Sequence, residues 1–367
     1  MSGPTESVRI GSIEASTYTI PTDRPESDGT FEWDKTTIVI VEARAGNERG
    51  LGYTYASRAT AAIVRETLAP IVQGRDALDV PGAWSAMLHE VRNLGRPGMC
   101  SMAIAAVDAA LWDLKGRLLG LSLLSLLGAV REAVPVYGSG GFTSYSMQEL
   151  QTQLGGWARD GITCVKMKIG RDARADLERV KAAREAIGPA VGLFVDANGA
   201  YGRKQALAQA ERFARDDVTW FEEPVSSDDL EGLRLIRDRA PAGMAIAAGE
   251  YAYDLWYVRR MLDAGAVDVM QVDASRCAGI TGYLRAAALC ESRSMDVSGH
   301  CCPSLHAAVS CALPNVRHIE YFHDHARIEH MLFDGALDPV NGELRPDRGR
   351  PGLGLELKQA DAARFAA

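Results

Sequence analysis

Disulfide framework, membrane span and basic surface are all missing from this sequence of 367 residues. Its seven cysteines, at 100, 164, 277, 290, 301, 302 and 311, are odd in number, show no framework spacing and sit mostly among apolar residues. They suit reduced thiols, and a cytoplasmic location is expected. Met1–Ile10 lacks a charged start followed by an apolar stretch, so no secretory leader is expected there. The most apolar uncharged run, Leu118–Val130, is 13 residues long, against the roughly 20 that a membrane helix needs. A longer uncharged run, Val297–Val316, carries two His, two Pro and three Ser and does not read as a span. Lys and Arg number 40 against 48 Asp and Glu, a net charge of −8, which speaks against nucleic-acid partners and anionic membranes. No glycine-rich phosphate loop stands out, since Gly138-Ser139-Gly140-Gly141 is too short. What remains, 47% hydrophobic and 24% charged residues, is ordinary globular composition with ample material for a core.

The chain divides at about residue 130. Before it, Val8–Ile20, Thr36–Ala45 and Gly50–Tyr55 read as strands, the last two joined by a Gly46-Asn47 turn. Pro21–Lys35, with three Asp, two Glu and a Trp, reads as a polar loop. Ser101–Leu119 places Ile104, Val107, Leu111, Leu114 and Leu118 on one helical face. Residues 1–130 therefore form an α+β unit, to which a Gly- and Pro-rich tail, 331–367, is expected to return. From residue 131 to 330, eight short β-rich runs begin at Val134, Thr163, Val191, Val218, Met244, Val267, Met295 and Arg317, spaced 22 to 29 residues apart with helical stretches between most of them. That interval predicts a parallel (β/α) barrel rather than an open sheet.

In such a barrel the carboxyl ends of the strands converge on one mouth. There the sequence places Lys166 and Lys168, Asp196 with Asn198, Glu222, Glu250, Asp273, His300 and Glu320. Asp196 alone would pass as a helix cap, but Glu is a poor cap and three successive strands repeat the acid. Three converging carboxylates repel one another unless a cation lies between them, and hard oxygen donors favour Mg²⁺, with Mn²⁺ next. Lys166 and Lys168 either pair with the acids or act together, one ammonium lowering its neighbour's pKa toward that of a general base. Asp273 beside His300 would fix the imidazole tautomer and raise its basicity. The run His300-Cys301-Cys302-Pro303-Ser304-Leu305-His306 invites a zinc reading, but adjacent cysteines do not easily share one tetrahedral ion and no second pair stands nearby. His323-Asp324-His325 reads as a solvated loop.

Together these features resemble the mandelate racemase group of the enolase superfamily along nearly the whole chain. The motifs are Lys166-x-Lys168, Asp196, the WFEEP run with Glu222, the AAGE run with Glu250, Asp273 with His300, Glu320, and the helix AIAAVDAALWDLKG. The resemblance implies a modified TIM barrel, (β/α)7β, under an α+β N-terminal capping domain. It also implies Mg²⁺ on Asp196, Glu222 and Glu250, catalysis by Lys166, Lys168 and the His300–Asp273 dyad, and Glu320 hydrogen-bonded to a substrate carboxylate. Removing the proton α to that carboxylate creates an enediolate, and bases on two faces permit either racemisation or loss of a β-hydroxyl. In proteins of this kind the loop Pro21–Lys35 covers the mouth, where Asp23, Arg24, Glu26, Asp28 and Lys35 suit a polyhydroxylated chain better than an aromatic ring. Asp23, Arg24, Trp33 and Asn198 are accordingly expected to touch substrate. Arg92, Arg96 and Arg276 are open either to a second carboxylate or to structural pairing. The expected activity is dehydration of an aldonic or aldaric acid to a 2-keto-3-deoxy acid, by a homo-oligomer. The alternatives are racemisation, epimerisation or cycloisomerisation of a related acid, and, remotely, a non-catalytic binding protein.

Overall fold

The computed structural model describes residues 8–367, so most of the leader expectation at Met1–Ile10 lies outside the described residues. Strands β1 (Ile10–Ser27), β2 (Glu32–Ala45) and β3 (Glu48–Tyr55) form an antiparallel meander. Its inner face lies on the helix Met99–Leu119, whose Ala106 and Ala110 keep one side of the cylinder flat. Gly52 is required for that approach, because a Cβ there would stand 2.2 Å from the Ala106 carbonyl oxygen.

The second region is a closed barrel of eight parallel strands: β4 (Val134–Gly140), β5 (Cys164–Lys168), β6 (Gly192–Asp196), β7 (Val218–Glu222), β8 (Ala245–Ala248), β9 (Val269–Val272), β10 (Asp296–Gly299) and β11 (Val316–Phe322). Pairing of β11 with β4 closes the ring, and all seven connections between successive strands carry helices, the (β/α)7β order. A short strand, Glu343–Leu344, adds to β4 antiparallel. The tail then returns to the first region, where the Ala367 N–H donates to the Thr17 carbonyl at 3.1 Å and Leu353 N–H to Asp113 at 2.6 Å.

Period-two alternation decides which side chains fill the barrel. On β5, Val165 and Met167 face the surrounding helices, while Lys166 and Lys168 face inward. The register pairs Lys166 with Phe194 and Lys168 with Asp196, then Phe194 with Trp220 and Asp196 with Glu222. Inward positions therefore stack in layers. A lower layer of Tyr137, Phe194, Trp220 and His318 packs ring on ring, and burial holds His318 neutral, its pKa pushed down to about 3. One register step higher, the same strands deliver the charged residues.

Two features differ from the sequence expectation. Pro21–Lys35 is mostly strand, because β1 and β2 run on as a hairpin to a turn at Asp28–Phe31, with three extra residues on β1 between the pairs Pro21–Lys35 and Glu26–Trp33. Its alternation follows docking on the barrel rather than an apolar face of its own, so composition misreads it as a loop. His323-Asp324-His325 is the first turn of the helix His323–Leu332, with Asp324 fully buried and His325 7% exposed. Its charge pattern masks contacts with the distant first region: Thr36 hydrogen-bonds Asp324, and the His325 ring stacks on Tyr55 at 3.5 Å. No helix among the described residues is long and apolar enough to cross a membrane.

Candidate active site

At the mouth, carboxylate oxygens of Asp196, Glu222 and Glu250 all lie within 4.8 Å of one another, and all three residues are buried. Trp220 Nε1 donates to Glu222 at 3.0 Å, and Asn198 N–H to Asp196 at 2.8 Å, so part of each acid's capacity is fixed from behind. Three hard oxygen donors on three neighbouring strands fit Mg²⁺. Burial first, and the Asp196 charge second, push Glu222 up to about 8 although Lys166 opposes them. The set is short of positive charge.

Lys166 sits behind the mouth, fully buried, 2.5 Å from Glu222 and 2.9 Å from Glu320. Lys168 lies one layer higher, 2.5 Å from Asp196, and reaches open space. The expectation that Lys166 lowers the pKa of Lys168 is not what this arrangement produces. Burial and Lys166 both act downward, but Asp196 outweighs them and holds the Lys168 ammonium well above its ordinary range. The acids next to the lysine, rather than its lysine neighbour, set its charge.

His300 Nδ1 meets Asp273 at 2.8 Å, while its Nε2 stands 3.3 Å from Glu250 and 3.6 Å from Glu320. Burial opposes charge on this ring, yet Glu250, Glu320 and the bond to Asp273 raise its pKa to about 9. Glu320 shows the reverse balance. Burial favours its neutral form, but Lys166 and His300 hold it well below the usual carboxylate range. It is therefore a carboxylate here, whereas donation to a substrate needs its protonated form.

Lys168, Asn198, Glu250, Arg276, His300 and Glu320 line a cavity of about 420 Å³, closed above by Asp28, Phe31, Trp33 and Lys35 of the hairpin and by Tyr55 and Ser57 of the first region. The hairpin tip rests on the barrel through Gly29, where a Cβ would stand 2.6 Å from the Ile169 carbonyl oxygen and 2.7 Å from that of Ala197. Trp33 is held by its Nε1–H bond to Glu26 at 2.8 Å. Asp23 and Arg24 are not in the wall: Asp23 accepts from His323 at 3.0 Å, and Arg24 pairs with Glu149. Arg276 is committed to Glu250 at 3.3 Å and Asp273 at 3.6 Å. Arg96 lies over Trp256, and Arg92 is exposed. A neighbouring cavity of about 580 Å³ shares Asn198 and Tyr251 with this one and has Glu223 in its wall.

Sequence reasoning missed Tyr55, Tyr251, Cys301 and His325, all in the cavity wall. Cys301 carried the one available signal, since it directly follows a strand-end histidine. At or beside the strand ends, Asn198, Glu223, Cys301 and Cys302 all have positive φ, between +38° and +53°, a sparsely populated region that costs about 1 kcal/mol or more per residue.

Residues 149–362 match the family described as "Enolase C-terminal domain-like", and residues 15–128 match "Mandelate racemase / muconate lactonizing enzyme, N-terminal domain". A 3,6-anhydro-alpha-L-galactonate cycloisomerase of Streptomyces coelicolor is 32% identical over 97% of this chain and 99% of its own. The crystal structure of a mandelate racemase/muconate lactonizing enzyme-like protein from Rubrobacter xylanophilus is 55% identical, with a TM-score of 0.96 over 98% of this chain and 100% of its own. An L-talarate dehydratase from Polaromonas sp. JS666, complexed with Mg and L-glucarate, is 30% identical, with a TM-score of 0.89 over 98% of each chain.

Proposed function

The chain belongs to the mandelate racemase/muconate lactonizing enzyme family of the enolase superfamily, and from that premise we propose that it dehydrates an acid sugar, an aldonate or aldarate, to a 2-keto-3-deoxy acid. The carrying observation is that Lys168, His300 and Glu320 share one cavity wall with Glu250, beside the Asp196–Glu222–Glu250 cluster. Asp196, Glu222 and Glu250 would hold Mg²⁺, with Mn²⁺ next, and the ion supplies positive charge against the substrate carboxylate.

The chain's own residues do the rest. Lys168 and His300 stand on the second and seventh strands of the ring and face the cavity from different sides. Lys168 acts as the base from its free-amine form: with a cation held on Asp196, the charge that keeps Lys168 protonated would be offset, the ammonium proton would pass to solvent, and the amine could take the proton α to the carboxylate. Lys166, held between Glu222 and Glu320, fixes both acids and keeps positive charge under the site. A substrate carboxylate brought against Glu320 adds a second negative charge, which drives Glu320 to take up a proton and donate it as a hydrogen bond. His300 supplies a proton to the hydroxide leaving C3, and Asp273 on Nδ1 keeps Nε2 aimed at that oxygen. Asp28, Lys35 and Ser57 meet the distal hydroxyls, with Asn198 alongside, while Trp33 and Phe31 cover the carbon chain and exclude water. Asp23 and Arg24 then act at one remove, by seating the hairpin.

A second reading rests on the Streptomyces relative. Elimination of a ring ether oxygen at C3 needs the same base and the same imidazolium, so an anhydro acid would suit the site as well. The test is a panel of four- to six-carbon acid sugars and 3,6-anhydro acids, with keto-acid release followed chemically and products identified by NMR. Dehydration of at least one linear acid is expected. Efficient racemisation of a hydroxyl-poor acid such as mandelate, with no acid dehydrated, would end the dehydratase reading. Failure to exchange any α-proton in deuterated water would end the catalytic one.

A further inference from the structure

Cys301 has no part in that chemistry, yet its thiol lines the catalytic cavity. Its Sγ stands 3.3 Å from His300 Nε2 and 3.4 Å from Glu320 Oε2, and those two atoms are 3.6 Å apart. A tetrahedral Zn²⁺ with ordinary Zn–N, Zn–S and Zn–O bonds holds its ligand atoms about 3.4–3.6 Å apart. The triangle is close to that size before any ion enters.

The outer sides of the three ligands are already occupied. Asp273 holds His300 Nδ1 at 2.8 Å, which aims Nε2 at the triangle, the carboxylate–histidine arrangement common behind metal sites. Lys166 holds Glu320 Oε1 at 2.9 Å, leaving Oε2 for the centre. Cys301 takes φ +53°, and its N–H donates to Glu320 Oε2 at 3.0 Å, so the backbone turn itself carries the thiol to the acid. The sequence run that suggests zinc is thus used only in part. Cys302 turns its Sγ to Ser275 at 3.3 Å, and His306 Nε2 accepts from the Ala274 N–H at 2.8 Å. The third ligand comes from β11 instead.

We propose that His300, Cys301 and Glu320 form a second cation site, selective for Zn²⁺ and other thiophilic divalent ions, and that filling it shuts the enzyme. The Asp196, Glu222 and Glu250 oxygens are hard donors, whereas a thiolate with an imidazole favours softer ions, so ligand chemistry separates the two sites. The thiol and the His300 Nε2–H both release their protons to solvent as the metal–sulfur and metal–nitrogen bonds form, and one position stays open to water. The inhibitory part rests on the proposed function, because the ion takes the His300 nitrogen and the Glu320 oxygen that the reaction uses. The binding part does not.

The test uses the full chain saturated with Mg²⁺ and titrated anaerobically with Co²⁺. One equivalent should produce a thiolate-to-cobalt charge-transfer band, which an all-oxygen site cannot give, and Zn²⁺ should displace it. Cys301→Ala should abolish the band, Cys302→Ala should keep it, and His300→Asn should weaken Co²⁺ binding at least tenfold. In turnover assays with excess Mg²⁺, Zn²⁺ should inhibit the wild type at concentrations at least tenfold lower than Cys301→Ala, each measured against its own zinc-free rate. No band in the wild type, or a band that survives in Cys301→Ala, would overturn the site. A band with unchanged turnover under Zn²⁺ would overturn the inhibition. A band in a protein that dehydrates none of the acids would keep the site and sink the proposed reaction.

Discussion

Two sets of buried carboxylates, one at the barrel mouth and one along the seam between the first region and the barrel, are handled in opposite ways. At the mouth, Asp196, Glu222, Glu250, Asp273 and Glu320 are met by the cations Lys166, Lys168, Arg276 and His300. Along the seam, Asp108 accepts from the Thr281 N–H at 2.9 Å and its hydroxyl at 2.7 Å, and Glu329 accepts from the Tyr53 hydroxyl at 2.6 Å and the Ser304 N–H at 3.0 Å. Burial, only partly offset by those bonds, raises both Asp108 and Glu329 to about 7. The mouth sets its acids against buried cations, a state that a ligand can disturb. The seam uses its acids as hydrogen-bond acceptors that hold two regions together.

Removing the metal should separate the two sets most sharply. Exhaustive chelation should abolish turnover and Mg²⁺ restore it, with little change in melting temperature. Full turnover with no metal found by elemental analysis would break the contrast. Next in size, Lys168→Ala and His300→Asn should each lower kcat by at least about 10³-fold, and one of them should still exchange the α-proton of the substrate. Near-wild-type turnover in either variant removes that residue from the mechanism.

The seam should respond in stability instead. Asp108→Ala leaves the buried Thr281 N–H without its acceptor and should cost about 2 kcal/mol, read from chemical denaturation, while kcat per folded molecule holds. Asp108→Asn tests the pH sign. The folded-state pKa, about 7, lies above the ordinary value, so the wild-type contribution is fullest below about pH 4 and is lost as pH rises through 7. The amide cannot ionise, so its stability relative to wild type should improve between pH 5 and pH 8, by on the order of 2–3 kcal/mol. A flat difference would show that Asp108 is ionised in the fold throughout that range.

The smallest effect should come from the hairpin. Gly29→Ala forces the tip off the Ile169 and Ala197 carbonyls and should raise KM severalfold with a smaller change in kcat. Steady-state kinetics on the best acid of the panel checks this, and an unchanged KM would mean that the tip does not cover bound substrate.

The same contrast explains what could be read from the residues alone. The mouth set was legible because a strand end returns at a near-constant interval and period two brings alternate side chains to one side. Asp196, Glu222, Glu250, Asp273, His300 and Glu320 follow from that regularity. The seam acids were not legible, because Asp108 and Glu329 stand inside helices, where an isolated acid looks like a solvent-facing residue. Tyr55 and His325 escaped for a related reason: they meet across about 270 residues, and neither belongs to a local pattern. The charge state of Lys168 depends on which carboxylate lies nearest in space, and the spacing of two lysines carries no information on that.

The slip in the β1–β2 register at Pro21–Glu26 has a consequence for how such a protein changes over time. Below the slip the strands belong to the packed core, where few substitutions are tolerated. Above it, about a dozen residues form the roof of the cavity. Extra residues can be taken up at the slip without shifting the pairs beneath it. Under the proposed reaction, descent can therefore rewrite the roof while inheriting the strand ends beneath it, as a tool with an exchangeable head keeps its handle.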